Sequence, residues 1–298
     1  MITGKRVLVT GGAGFIGTHL CRKLSGRNEV LALDKRARPP RFPENIEYLR
    51  GNLASTRTLT KLKGRFDAVY HFGSASSVLL FRKAVAATVS EAISGFVNVA
   101  EFAKRQRADL LVYPSSGTVY RFGPRGTAVG LQPPNMYAAV KLAHETIADL
   151  YKGEVAVRGL RIFMGYGPGE EAKGPIASPV CLFLRDVLAG RAPEIWGNGM
   201  QSRDFVYIDD AVDAILNSHK LAGRHAIIDV GTGRSTTFRD AVSMISRALD
   251  RDVAPRFVGA PSDYILQTRA NPRALRDLLG RPLTSPKEGI RKFCEYLS

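Results

Sequence analysis

Short runs of β-branched and apolar residues alternate with longer amphipathic stretches through the first half of the chain. The runs predict strands at Arg6–Thr10, Glu29–Leu33, Ile46–Leu49, Asp67–His71, Leu110–Pro114 and Val155–Phe163. Helical spacing predicts helices near Phe15–Leu24, Leu59–Lys63, Ala87–Arg105 and Tyr137–Lys152. Strand-like runs alternating with helical stretches make an α/β fold, a parallel sheet flanked by helices. The long helix Ala87–Arg105 carries Ile93, Phe96, Val97, Ala100 and Phe102. That apolar stripe suits either a cover for its own sheet or a dimer face.

The pattern changes after Phe163. Residues Gly165 to Pro179 hold four glycines and three prolines, which predicts a substrate loop in place of a regular element. Helical and strand segments follow, with turn signals at Gly197-Asn198-Gly199 and Gly231-Thr232-Gly233. From about Phe238 the tail reads as helical with proline punctuation.

Composition narrows the setting. A chain of 298 residues, 45% hydrophobic and 23% charged, has room for two small domains of an ordinary soluble protein. Cys21, Cys181 and Cys294 are odd in number and far apart, which argues for a reducing compartment and against a disulfide framework. The five histidines form no ligand spacing, so no metal site is expected. The chain runs straight into its first strand without an apolar leader, and no stretch is long enough to span a bilayer. A cytoplasmic protein with no membrane partner is expected. The net charge of +16 suits nucleic acid, an acidic membrane or anionic small ligands. Because the excess is spread out and no nucleic-acid motif accompanies it, nucleic acid is not the expected partner. The densest cluster, Lys35, Arg36, Arg38 and Arg41, directly follows the second strand.

Two places carry chemistry. Between the first strand and first helix runs Thr10-Gly11-Gly12-Ala13-Gly14-Phe15-Ile16-Gly17, which fits G-x-G-x-x-G and G-x-x-G-x-x-G equally. Glycines there permit a tight turn and close approach to a pyrophosphate, and the helix N-terminus offers that anion its N–H groups. The plain alternative is a tight strand-to-helix turn. Asp34 ends the second strand, 20 residues beyond Gly14, where a carboxylate accepts ribose hydroxyls and repels a 2′-phosphate. NAD is therefore the expected cofactor. Lys35 and Arg36 keep NADP open as the alternative.

At the second place, Tyr137 and Lys141 form Y-x-x-x-K, one face of a helix, and Ser116 lies 21 residues upstream just past a strand. A tyrosine can move a proton near neutral pH only if neighbouring positive charge stabilises its phenolate. A serine hydroxyl beside it orients the substrate oxygen. The plain alternatives are a turn hydroxyl and a half-buried aromatic.

With these residues in place, the whole chain resembles the extended short-chain dehydrogenases, in particular the NAD-dependent nucleotide-sugar epimerase/dehydratase family that includes UDP-glucose 4-epimerases. The matching stretches are Thr10–Gly17, Asp67–Ala75, Ser115–Tyr120, Tyr137–Lys141, Tyr166–Gly169, Arg203–Asp210 and Val230–Gly233. The resemblance implies a Rossmann-type doubly wound parallel sheet with a smaller C-terminal α/β substrate domain. It divides the chain at residues 1–163 and 164–298, with 205–235 returning to the first part, and implies a homodimer built on two helices per subunit. It implies catalysis by Ser116, Tyr137 and Lys141. NAD would be held by Gly11, Gly14, Phe15, Ile16, Gly17, Asp34, Lys35, Asn52, Leu53, Phe72, Gly73 and Ser74, together with Tyr137 and Lys141. Ser116, Met164 and Arg203 would meet a nucleotide-sugar substrate, Arg203 gripping its diphosphate. For Arg203 the plain alternative is an ion pair with Asp204 or Asp209.

The chain departs from the family pattern at three places, and more mildly at a fourth. Gly117-Thr118 stands where dehydratases carry Asp-Glu, which removes the acid that expels water. Met164 replaces the usual Asn, Ala260 replaces an arginine before Pro261-Ser262-Asp263, and Asn52 replaces an acid on the adenine side. The leading expectation is a nucleotide-sugar 4-epimerase that oxidises its sugar transiently and returns the hydride. The runner-up is an NAD(P)H-dependent ketoreductase of a nucleotide-linked keto-sugar or another carbonyl. A third is a dinucleotide-binding regulatory or RNA-binding protein, which would have no use for Ser116, Tyr137 and Lys141 together.

Overall fold

Residues 6–10 become the first strand because Val7, Leu8 and Val9 are apolar on both faces and all three are wholly buried. A computed structural model describes residues 2–40, 42–123, 126–260 and 265–298, with the backbone alone at Lys83. Its elements run β1 (Arg6–Thr10), α1 (Phe15–Ser25), β2 (Glu29–Asp34), β3 (Glu47–Arg50), α2 (Thr56–Thr60), β4 (Ala68–His71), α3 (Val78–Lys83), α4 (Val85–Gln106), β5 (Leu110–Ser116), β6 (Tyr120–Phe122) and β7 (Ala128–Leu131). They continue α5 (Met136–Leu150), β8 (Ala156–Ile162), β9 (Met164–Tyr166), α6 (Pro179–Leu188), β10 (Glu194–Trp196), β11 (Ser202–Tyr207), α7 (Ile208–Asn217), β12 (His225–Val230), β13 (Ser235–Thr237), α8 (Phe238–Ala248), β14 (Arg256–Val258), α9 (Arg273–Leu279) and α10 (Pro286–Leu297).

Seven strands form the main sheet in the order β3-β2-β1-β4-β5-β8-β12, the doubly wound arrangement expected. The pairs β1–β2, β1–β4, β2–β3 and β4–β5 are parallel, and Thr10 at the end of β1 sits between Leu33 and His71. The order reverses at β1, so the carboxyl ends of β1 and β4 flank the crevice where such sheets receive ligands.

Two compact units emerge. The first holds Met1–Val119, Gln132–Arg161 and Val212–Ile228; the second holds Tyr120–Leu131, Ile162–Ala211 and Asp229–Ser298. The returning segment is thus 212–228 in place of 205–235, and residues 120–131 side with the second unit. In the first unit, α4 turns Phe96, Val99, Ala100, Phe102 and Ala103 onto the core that Leu8, Val69 and Leu111 build from the sheet, while Ala92, nearer its start, packs with Phe81 and Val140. Phe96 is wholly buried, and truncating such a ring costs about 3–5 kcal/mol. This face of α4 covers its own sheet. The second unit has three small sheets, β13-β11-β9, β10-β14 and the β6-β7 hairpin, with α8 packed against α6 and α10.

Three stretches differ from expectation. The glycine- and proline-rich segment contains β9 and 3₁₀ turns over Glu170–Ile176, because the fully buried Glu170 carboxylate gathers Ser178 N at 2.8 Å, Ser178 Oγ at 2.7 Å and Lys173 Nζ at 2.9 Å. The tail expected to be helical contributes β14, which pairs in parallel with β10. Helix α3 has no counterpart among the predicted elements. It is six residues long and starts on Ser77, whose side chain accepts the Leu79 N–H. No helix among the described residues is long and apolar enough to cross a membrane.

Candidate functional site

The glycine run turns sharply from β1 into α1 at the sheet's carboxyl edge. Gly11 has φ +71° and lies against the Phe72 carbonyl, which a Cβ would meet at 2.3 Å. A Cβ on Gly17 would strike the Gly11 oxygen at 2.0 Å, so the first turn of α1 can close onto the loop only without one. Helix α1 begins at Gly14 with no side-chain cap. Its first turn therefore presents backbone N–H groups at an end where the helix dipole is positive. Phe15 and Ile16 are the first two residues of that turn. Close by, a Cβ on Gly73 would meet Leu53 Cδ1 at 2.7 Å, and the buried Ser74 Oγ has no hydrogen-bond partner within the described chain. A cradle of bare backbone, an uncapped helix start and an unsatisfied hydroxyl fit the pyrophosphate and ribose of a dinucleotide.

Asp34 is buried at the end of β2. Its Oδ2 accepts the Ala13 N–H at 3.1 Å, and its Oδ1 accepts the Arg36 N–H at 2.9 Å and lies 3.4 Å from Arg36 Nε. The Arg36 guanidinium reaches over the loop, with Nη2 3.6 Å from where a Gly14 Cβ would stand. Lys35, expected beside the cofactor, instead gives its ammonium to Glu91 on α4 at 2.7 Å. Arg38 donates to the Pro43 carbonyl, and Arg41 lies outside the described residues. Asn52 closes a local turn, its Oδ1 accepting the Ala54 N–H at 2.9 Å.

The trio assembles from two elements of the same unit. Ser116 ends β5, while Tyr137 and Lys141 lie in the first turns of α5, whose start is fixed by Asn135 Oδ1 accepting the Ala138 N–H at 3.0 Å. The Ser116 hydroxyl lies near enough to Tyr137 to favour its phenolate, and Lys141 Nζ stands 5.7 Å from the centre of the Tyr137 ring. Phe81, delivered by α3, packs on the same ring at 5.9 Å. Burial pushes the Lys141 ammonium down to about 8. Burial also holds the Tyr137 hydroxyl above the ordinary tyrosine range, against the opposing hydrogen bond from Ser116. The expected lowering at Tyr137 is thus not produced by the protein's own groups.

Several supporting residues escaped the sequence reading. Glu145, also on α5, ties Ser115 to Arg161 in a buried cluster. Beneath Lys141, His71 Nδ1 bonds Thr10 Oγ1 at 2.9 Å, and His144 stacks on Phe96 at 4.4 Å. Burial, with the Lys141 charge adding to it, pushes His71 down to about 3 and His144 to about 2, so both rings are neutral. The one sequence signal for Glu145 is its position four residues after Lys141 on the same helix.

The second unit holds the remaining residues. Arg203 is buried on β11, donates to the carbonyls of Ser202 and Leu266, and lies 5.5 Å from the Phe238 ring. Asp204 spends its carboxylate elsewhere, accepting Thr232 N and Oγ1 at 2.7 Å, Gly233 N at 2.8 Å and Ala270 N at 3.0 Å. Met164 is half-buried on β9, opposite Phe205. Ala260 is exposed, and Pro261-Ser262-Asp263 lie outside the described residues.

Known proteins share this architecture along the full chain. A UDP-glucose 4-epimerase of Mycolicibacterium smegmatis is 31% identical over 98% of this chain and 98% of its own. The crystal structure of Thermus thermophilus UDP-glucose 4-epimerase in complex with NAD superposes with a TM-score of 0.89 at 26% identity, covering 98% of each chain. MoeE5 in complex with UDP-glucose and NAD does so with a TM-score of 0.86 at 28% identity, again over 98% of each. The family model for NAD dependent epimerases and dehydratases matches residues 7–231, and the chain belongs to that family.

Proposed function

We propose that this enzyme epimerises a nucleotide diphosphate sugar at C4 by transient oxidation and hydride return. The observation that carries the reading is the meeting of Ser116, Tyr137 and Lys141 at one sheet edge, with the Thr118 hydroxyl and no acid beside Ser116. When bound, NAD supplies the hydride acceptor and, while oxidised, a positively charged ring. Tyr137 Oη takes the proton from the sugar hydroxyl and gives it back, Lys141 balances the phenolate, and Ser116 orients the sugar oxygen. Because burial alone raises the proton affinity of Tyr137, the base becomes competent only beside added positive charge.

The names of the relatives support a UDP-sugar. Arg203 serves as the diphosphate anchor, a role suited to a guanidinium. The reading includes a homodimer formed through α4 and α5 and a cytoplasmic setting, in keeping with three buried free thiols. Sedimentation showing a monomer at micromolar concentration would remove the dimer.

The test of the reaction supplies UDP-, dTDP- and GDP-hexoses to purified enzyme without added cofactor and follows the C4 epimer by chromatography. Epimer formation with no net NAD(H) change is expected. Stoichiometric consumption of NAD(P)H would replace this reading with a ketoreductase.

A further inference from the structure

Three hydroxyls stand in series at the carboxyl end of β5. Thr118 Oγ1 donates to Ser116 Oγ at 2.9 Å, the Thr118 backbone N–H donates to the same oxygen at 3.2 Å, and the Ser116 hydroxyl lies near enough to Tyr137 to favour its phenolate. The 3₁₀ turn Gly117–Val119 brings residue 118 back over residue 116. A serine hydroxyl offers one proton and two lone pairs. With two donors from Thr118 on the Ser116 oxygen, the Ser116 proton is what remains for the Tyr137 oxygen. Hydrogen bonds in such a chain strengthen one another, most of all when the last acceptor becomes an anion.

We propose that Thr118 is a positioning residue: it fills the acceptor sites of Ser116 Oγ, makes Ser116 an obligate donor, and through it stabilises the Tyr137 phenolate. The inference rests on the reading that Tyr137 carries the proton in turnover. The side chain at 118 thereby holds a second place in the chemistry. A carboxylate there would act on the substrate as an acid, whereas a hydroxyl acts on the neighbouring serine and leaves water elimination without a proton donor.

The test uses the full chain labelled with 3-fluorotyrosine, whose phenols titrate lower than tyrosine, and fluorine NMR. The residue 137 resonance is identified by its loss in Tyr137→Phe. Thr118→Val keeps the shape and removes the hydroxyl; Thr118→Ser keeps the hydroxyl. Thr118→Val should raise the residue 137 midpoint by about 0.5–1 pH unit, the worth of one hydrogen bond, with Thr118→Ser at the wild-type value. In turnover, the acid limb of the kcat profile should move up by the same amount in Thr118→Val, with KM for the sugar nucleotide unchanged. Should Thr118→Val misfold, Thr118→Ala serves in its place. An unmoved midpoint overturns the proposal, and a lowered one shows that the Ser116 proton had pointed at Thr118. Because the titration needs no substrate, it stands even if no nucleotide sugar is turned over, an outcome that would strike the proposed reaction alone.

Discussion

Glu145 grips the Arg161 guanidinium through both carboxylate oxygens, Oε1 to Nε at 2.8 Å and Oε2 to Nη2 at 2.6 Å, and Oε1 also accepts from Ser115 Oγ. This one carboxylate fastens α5 to β5 and β8. Ser115 immediately precedes Ser116, and Glu145 follows Lys141 by four residues, so the spacing of the trio depends on a charge outside it. Replacing Glu145 by Gln takes the bidentate carboxylate away from the largely buried Arg161 side chain and weakens the tie to Ser115. Urea unfolding should show a loss of about 3–5 kcal/mol, as for other broken buried pairs. A variant as stable as wild type would mean that the cluster is dispensable.

Tyr137→Phe removes one oxygen and keeps the ring against Phe81. Turnover should fall by at least ~10²-fold while cofactor affinity holds, the usual effect of losing a positioned proton-transfer group. Steady-state kinetics beside a cofactor-binding titration separates the two, and near-normal turnover would take Tyr137 out of the mechanism.

In the proposed reading, Asp34 and Arg36 set the cofactor preference as a pair. With Asp34 present the Arg36 guanidinium is partly neutralised, so NAD should bind more tightly than NADP. Asp34→Ala frees Arg36 over Gly14 and should improve NADP binding by about tenfold, the range of one charge-assisted hydrogen bond. Lys35→Ala should change little, because that ammonium is engaged with Glu91. Calorimetry with both dinucleotides decides it; a wild-type preference for NADP would reverse the assignment.

Lys141 gives a stability test with a definite sign. Its folded value is pushed down to about 8 from 10.5, so the folded protein holds this proton less well than the unfolded chain does. The charge therefore weakens the fold below about pH 8, and the penalty fades as pH rises from there toward 10.5. Lys141→Met should be inactive yet more stable than wild type by about 1–3 kcal/mol at pH 7, with the advantage gone near pH 10.5. Melting curves across that range provide the check. A constant difference would show that packing, and not charge, separates the two proteins.

The parts of the site legible in the sequence are those whose chemistry is local. The glycines of Thr10–Gly17 are adjacent in the chain, and Tyr137 and Lys141 are one helical turn apart, so spacing alone brings them together. Thr118 lies two residues from Ser116, but the hydrogen bond depends on a 3₁₀ turn that spacing does not announce. Glu145 meets Ser115 and Arg161 only through tertiary packing, and Lys35 meets Glu91 across the first βα layer. The proton affinity of Tyr137 was hidden for the same reason, since the burial that sets it involves Phe81 from α3, a helix too short to show periodicity.

The seventh strand of the main sheet is also its last to be synthesised. While residues 163–224 are being made, β8 waits with the hydrogen-bonding side that β12 will occupy still open, and Val157, Gly159 and Leu160 lie along it. An apolar strand edge left waiting is what chaperones bind and what neighbouring nascent chains pair with. A fragment cut at residue 163 would keep that edge for good and would aggregate, so a free dinucleotide-binding half of this enzyme has to carry residues 212–228 with it.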